Sequence, residues 1–192
     1  MKSEPFCLSM EISELQGIPE AQTGINCLSK VRDYFGDQEE VNRILLRENP
    51  VIYEFTSIKK YDSLALLSLG ITIIHPGKVG EEFYMTKGHF HDLDHDGDEV
   101  YYVKSGKGRL LLNSRKGEFK ILEMKPDTIL YTPSSWAHRT ANTGSEDLVF
   151  LSVWPATTEY DYEAILDLGG FPKRIVERDQ AAVVVDNQDF RG

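Results

Sequence analysis

The amino-acid sequence predicts an all-β fold, a sandwich or barrel with a few short helices, and three observations carry that reading. From residue 51 to residue 155, short strand-type runs follow one another at close intervals. Turn residues punctuate them: His75-Pro76-Gly77, Gly106-Lys107-Gly108, Arg115-Lys116-Gly117 and Asn142-Thr143-Gly144 supply the dihedral angles that tight turns demand. The 192 residues can bury one sizeable β-rich core and leave little for a second full domain.

Residues 1–50 read as an N-terminal accessory arm. Their helical signal spans 37–48, with Asp37 as N-cap, Glu40 at the capping-box position, and Val41, Ile44 and Leu45 recurring at helical spacing. Residues 51–155 are the expected barrel core, with strands over 51–57, 65–74, 82–86, 99–104, 109–113, 119–124, 128–132 and 148–154. A β-meander is the simplest way to connect them. Residues 156–192 form a C-terminal helix and extension: a helix over 161–168, capped by Asp161 and stopped by Gly169-Gly170, then late strands from 174–177 and 181–185. No internal repeat or linker divides the chain, so residues 1–192 are expected to form one domain.

Composition excludes whole classes of partner. The 31 acidic against 21 basic side chains give a net charge of −10, which repels nucleic acid and anionic membrane. At 41% hydrophobic and 10% aromatic residues the chain is too apolar for general disorder. No apolar run approaches the roughly 20 residues that span a bilayer, and the polar start Met1-Lys2-Ser3-Glu4-Pro5 lacks a signal peptide's apolar stretch. A cytoplasmic location is therefore expected, with no membrane and no nucleic-acid partner. The two cysteines, Cys7 and Cys27, lack metal-ligand spacing and read as reduced thiols.

The chemistry concentrates in four residues. His89 and His91 form His-x-His in a strand-type segment, where residues two apart share a face. A hairpin through the acidic loop 92–98 would bring Glu99 beside them, and His138 begins a later strand-type segment. Three imidazole nitrogens and one carboxylate suit a divalent transition metal such as Fe, Mn, Ni or Zn and leave two positions open on an octahedral ion. Read without that ion, Glu99 is a strand-end charge and His138 a hydrogen-bonded core side chain. Tyr101 shares the face of Glu99, His75 reads as a turn residue, and His95 as a loop charge.

These residues resemble the first cupin motif, in which His89-Phe90-His91, Glu99 and Gly106 match, with six residues between Glu99 and Gly106. Pro133, His138 and Asn142 match the second motif, although Asp127 and Ser135 stand where that pattern usually has glycine. A narrower resemblance covers most of the chain. The segments Pro76-Gly77-Lys78-Val79-Gly80, Thr86-Lys87-Gly88-His89-Phe90-His91 and Tyr131 to Asn142 are similar to the cupin-type, or archaeal-type, glucose-6-phosphate isomerases.

That resemblance implies a cupin double-stranded β-helix, or jelly-roll barrel, usually assembled as a homodimer. It implies metal-dependent interconversion of glucose 6-phosphate and fructose 6-phosphate in glycolysis and gluconeogenesis, with iron the first-choice metal. Position by position, His89, His91, Glu99 and His138 match the metal ligands, and Glu99 and Tyr101 are the candidate catalytic groups. Thr72, Thr86 and Gly88 match positions associated with the sugar phosphate, while Tyr53, Tyr101 and Tyr162 match tyrosines lining the pocket. Lys87 points opposite to Gly88 and reads either as a phosphate contact or as a surface strand residue. This chain departs from the family at Tyr160, where histidine can stand, at Trp154, where a pocket tyrosine stands, and in a longer spacer between His91 and Glu99. Another cupin chemistry, such as dioxygenation, and a non-catalytic sugar-binding module are the competing expectations.

Overall fold

The computed structural model describes residue 10 and residues 21–58, 67–91 and 97–192. Strand β1 (Ala21–Cys27) leads through a short helix α1 (Leu28–Val31) and a 3₁₀ turn to helix α2 (Gln38–Leu45). Then follow β2 (Val51–Ile58), β3 (Leu67–Ile74), β4 (Lys78–Val79), β5 (Glu82–Phe83), β6 (Phe90–His91), β7 (Glu99–Ser105) and β8 (Gly108–Ser114). The chain continues with β9 (Phe119–Met124), β10 (Ile129–Thr132), β11 (Trp136–Asn142), β12 (Leu148–Pro155) and β13 (Tyr160–Asp161). Helix α3 (Glu163–Asp167) and the hairpin β14 (Lys173–Arg178)–β15 (Ala181–Asp186) complete it.

One wall is a six-stranded sheet in the order β1-β2-β3-β12-β7-β10, and β11-β8-β9 forms the facing one. The expected meander is wrong. Strand β12 pairs with both β3 and β7, so strands distant in sequence become neighbours, as barrel closure requires and a meander cannot supply. Strand β12 alternates buried with partly buried residues along its length, the period of a strand with one face on the core. Ile52, Ile74, Val103 and Phe150 from the first wall pack with Leu110, Leu112 and Met124 from the second in one hydrophobic cluster. This is the expected all-β barrel with short peripheral helices. No helix among the described residues is long and apolar enough to cross a membrane.

Strand β1 carries no strong signal in the sequence. Its residues pair along β2 from Ala21↔Ile58 to Cys27↔Val51, extending the sheet into the region read as an accessory arm. An edge strand with so little buried surface needs no hydrophobic alternation, which is why Ala21–Cys27 hides in the sequence. The Asp37 cap forms as expected: its carboxylate accepts the Glu40 N–H at 2.9 Å, a contribution of about 1 kcal/mol. The reciprocal half of the capping box does not form, because Glu40 turns to Arg43 instead. Asp161 likewise accepts the Ala164 N–H at 3.0 Å at the start of α3, and the chain leaves that helix at Gly169-Gly170. Cys27 is a free thiol; Cys7 lies outside the described residues.

A buried ion pair links the 34–36 segment, β5 and the β14–β15 hairpin. The Arg174 guanidinium donates to Glu82 Oε1 at 3.0 Å and to the Tyr34 carbonyl at 3.3 Å, while Glu82 Oε2 accepts the Gly36 N–H at 2.9 Å.

The two residues standing in place of family glycines explain themselves. Asp127 has φ 62° and Ser135 φ 68°, the left-handed region that glycine occupies most easily, and Asp127 recovers part of the cost by accepting the Tyr102 hydroxyl at 2.8 Å. Gly106 also turns left-handed at φ 82°, and a Cβ there would sit 2.5 Å from the Asp147 carbonyl oxygen. Gly106→Ala should therefore destabilise by about 2 kcal/mol and lower Tm by roughly 4–8 °C in a calorimetric scan. An unchanged Tm would mean that this turn is not held as described.

Candidate active site

His89 and His138 come together through the backbone. They form an isolated antiparallel bridge, with the His89 N–H donating to the His138 carbonyl at 3.3 Å and the His138 N–H returning to the His89 carbonyl at 3.0 Å. Strand alternation places His91 on the face of His89, and their rings stand 5.5 Å apart. Glu99 opens β7 and points inward with Tyr101. The expected hairpin between His91 and Glu99 is not what delivers it: β6 pairs with β13, and β7 pairs with β12 and β10. Glu99 reaches the histidines because β7 belongs to the other wall of the barrel. Residues 92–96, including His95, lie outside the described residues.

The result is a convergent donor set. One ligand atom from each of His89, His91, Glu99 and His138 lies within 4.8 Å of the other three. Glu99 Oε2 is 3.2 Å from His138 Nε2 and 3.4 Å from His91 Nε2. His91 Nδ1 bonds the Gly97 carbonyl at 2.6 Å, and His138 Nδ1 bonds the Trp136 carbonyl at 3.3 Å. A carbonyl can only accept, so Nδ1 carries a proton in both rings, and Nε2 is the atom each ring directs toward the carboxylate. His89 Nε2 is buried with no hydrogen-bond partner, a costly state that a bound cation would relieve. The residues present thus fit a divalent ion in number, type and tautomer.

Burial dominates the electrostatics here. It holds the His89 imidazole neutral, well below its usual range, with His138 adding to the effect. Burial pushes Glu99 upward, but the surrounding imidazoles, His138 first, outweigh it and keep the carboxylate ionised. Burial raises the Tyr101 hydroxyl, and the adjacent Glu99 carboxylate raises it further, so Tyr101 stays a neutral phenol. Tyr162 is pushed up to about 12, again chiefly by burial.

A cavity of about 330 Å³ opens beside the cluster, within the range of small-molecule sites. Tyr53, Thr72, Thr86, Gly88, Tyr101 and Tyr162 all line it, together with His89, Glu99 and His138. Trp154 and Tyr160, the two departures from the family pattern, line it as well. The Tyr160 ring packs edge-on against His89 at 4.6 Å, and Trp154 presses its six-membered ring toward Gly70. Lys87 lines the cavity too, with its ammonium 5.7 Å from the centre of the Tyr162 ring. His75 is more than a turn residue, since its two ring nitrogens meet Asp147 at 2.9 Å and Glu54 at 3.1 Å.

Sequence reasoning missed Arg139. It is 2% exposed, and its guanidinium donates twice to the Lys87 carbonyl, at 3.1 and 2.7 Å. Burial lowers its pKa to about 10, which leaves it charged at neutral pH. The only trace in the sequence is a cation between two β-type residues of one short strand, a pattern that usually marks a surface position.

The family model described as glucose-6-phosphate isomerase (GPI) matches residues 31–191. A glucose-6-phosphate isomerase of Thermococcus kodakarensis is 44% identical over 187 residues, covering 97% of each chain. Those of Thermococcus litoralis and Pyrococcus horikoshii are 40% and 39% identical, the latter over the full length of both chains. A Lactobacillus farciminis oxalate decarboxylase superposes with TM-score 0.48 at 20% identity, over 57% of this chain and 30% of its own. With a family match over most of its length and full-length relatives near 40% identity, this chain belongs to the glucose-6-phosphate isomerase family.

Proposed function

We propose that this protein interconverts glucose 6-phosphate and fructose 6-phosphate, with a divalent cation held by His89, His91, Glu99 and His138. The observation that carries the reading is the three-imidazole, one-carboxylate set beside a cavity lined mainly by hydroxyls and aromatic rings. When bound, the cation supplies Lewis-acid stabilisation of the negative charge that develops at the C1 and C2 oxygens of the sugar.

The chain's own residues supply the rest. Aldose–ketose conversion moves a hydrogen between C1 and C2 without any electron acceptor. Glu99, ionised and facing the cavity, accepts the proton from one carbon and returns it to the other. Tyr101, held as a neutral phenol against Glu99, keeps the carboxylate oriented and offers a hydrogen bond to a sugar oxygen. Tyr53 and Tyr162 wall the sugar, and Thr72, Thr86 and the Gly88 backbone receive the phosphate as hydrogen-bond donors rather than as a cluster of cations. We infer iron as the ion, and a cytoplasmic homodimer as the working form. Ile129, Tyr131 and Val100 support the dimer: they leave an exposed apolar strip along β10 and β7 at the edge of the large sheet.

Three measurements check this reading. Purified protein supplied with Fe, Mn, Ni or Zn should turn over glucose 6-phosphate in a coupled assay, and no turnover with any of them would contradict the proposal. Oxygen uptake on substrate addition would favour a dioxygenase, and saturable binding without turnover a sugar-binding module.

His89→Ala and His138→Ala should each lose bound metal in elemental analysis and at least about 100-fold in kcat together. Full activity in both would remove the proposed centre.

Isomerisation in D₂O should place deuterium at C1 of fructose 6-phosphate, and Glu99→Gln should lower kcat by roughly 10²–10⁴-fold while retaining more metal than the histidine variants. Complete retention of protium would assign the transfer to a hydride shift and leave Glu99 as a ligand only.

A further inference from the structure

A guanidinium buried without a carboxylate beside it costs several kcal/mol unless something else uses the charge. Arg139 is such a group. Among the described residues no carboxylate approaches it within ion-pair distance; Glu82, the acid that acts on it through space, is engaged by Arg174. Its neighbours are the Phe171 ring at 4.9 Å, the Tyr34 ring at 5.5 Å and the Lys87 carbonyl, which accepts two hydrogen bonds from the guanidinium.

That carbonyl belongs to the Lys87–Gly88 peptide. In a trans peptide the C=O and the following N–H point in opposite directions, so turning Lys87 O toward Arg139 turns the Gly88 N–H away from it. Gly88 lines the cavity and Arg139 does not, and among the described residues the Gly88 N–H meets no acceptor. Gly88 adopts φ 73°, and a Cβ there would lie 2.7 Å from the Phe171 ring and 3.0 Å from Arg139 Cβ, so no side chain screens that N–H. On the flanks, Thr86 holds Thr140 through two hydrogen bonds, the Thr86 N–H to the Thr140 carbonyl at 2.9 Å and the Thr140 N–H to the Thr86 hydroxyl at 3.1 Å. Thr86 and the Lys87 carbonyl are thus both pinned.

We propose that Arg139 is a positioning residue for the substrate's phosphate: it fixes the Lys87–Gly88 peptide so that the Gly88 N–H points into the cavity. From behind the peptide it also adds positive charge to that of Lys87 on the cavity wall. The inference rests on the reading of Thr72, Thr86 and Gly88 as the phosphate end. Polarising a carbonyl with a buried cation strengthens the N–H of the same peptide as a donor to an anion.

The test uses the metal-loaded enzyme, with KM for glucose 6-phosphate and the competitive inhibition constant of inorganic phosphate as readouts. Arg139→Met should raise both by about 10-fold or more, a larger change than its loss in kcat, with Arg139→Lys falling between it and wild type. Thr72→Val reports on the phosphate end independently. If Thr72→Val weakens inorganic phosphate and Arg139→Met does not, the Arg139 inference is overturned and the phosphate end stands. If neither weakens it, the phosphate end itself is misplaced and the inference falls with it. A loss confined to kcat in Arg139→Met also overturns the inference, because a purely structural role predicts that pattern. Should Arg139→Met not fold, titrating ¹⁵N-labelled wild-type enzyme with inorganic phosphate decides: the Gly88 amide and the Arg139 Nε–H must shift together, and a static Arg139 signal sinks the proposal.

Discussion

A carboxylate taken out of water and ringed by three imidazoles is an incomplete electrostatic unit, and the candidate site is organised around that fact. Moving one such ion into a protein interior costs several kcal/mol. Here two Nε2 atoms stand 3.2 and 3.4 Å from Glu99, and a cation among the four donors would remove the cost. The same deficit would give the site its chemistry, because a cation held by these four groups would supply Lewis-acid stabilisation at the cavity wall.

The barrel keeps this unit together. His89 and His138 are joined by two backbone hydrogen bonds, His91 is paired with Tyr160, and Glu99 starts a strand bonded on both sides. Each ligand is therefore positioned by ladder geometry rather than by loop conformation, and peripheral elements act as fasteners. The Glu82–Arg174 pair ties the 34–36 segment and the terminal hairpin to β5, so that neither has to contribute a ligand to hold the barrel's surroundings in place.

Much of this was legible in the residues. His89 and His91 could be placed on one face because strand periodicity leaves no other arrangement, and the glycine and proline punctuation marked the turns around the barrel core. Connectivity was not legible: a period of two says which face a residue uses but not which strand lies beside it, so the meander and the His91–Glu99 hairpin were both wrong. Strand β1 was invisible because an edge strand with little buried surface needs no apolar alternation. Arg139 was invisible for the opposite reason, since its burial is decided by Phe171 and Tyr34, more than thirty and one hundred positions away. The left-handed turns at Asp127 and Ser135 show that the backbone can keep a conformation after its usual residue has gone.

The most direct test of the central claim is crystallographic. Crystals of the metal-loaded protein, measured on both sides of the iron absorption edge, should show an anomalous peak about 2.0–2.3 Å from His89 Nε2, His91 Nε2, His138 Nε2 and a Glu99 oxygen. An active enzyme whose anomalous peak lies elsewhere, or whose four side chains remain metal-free, would contradict the account.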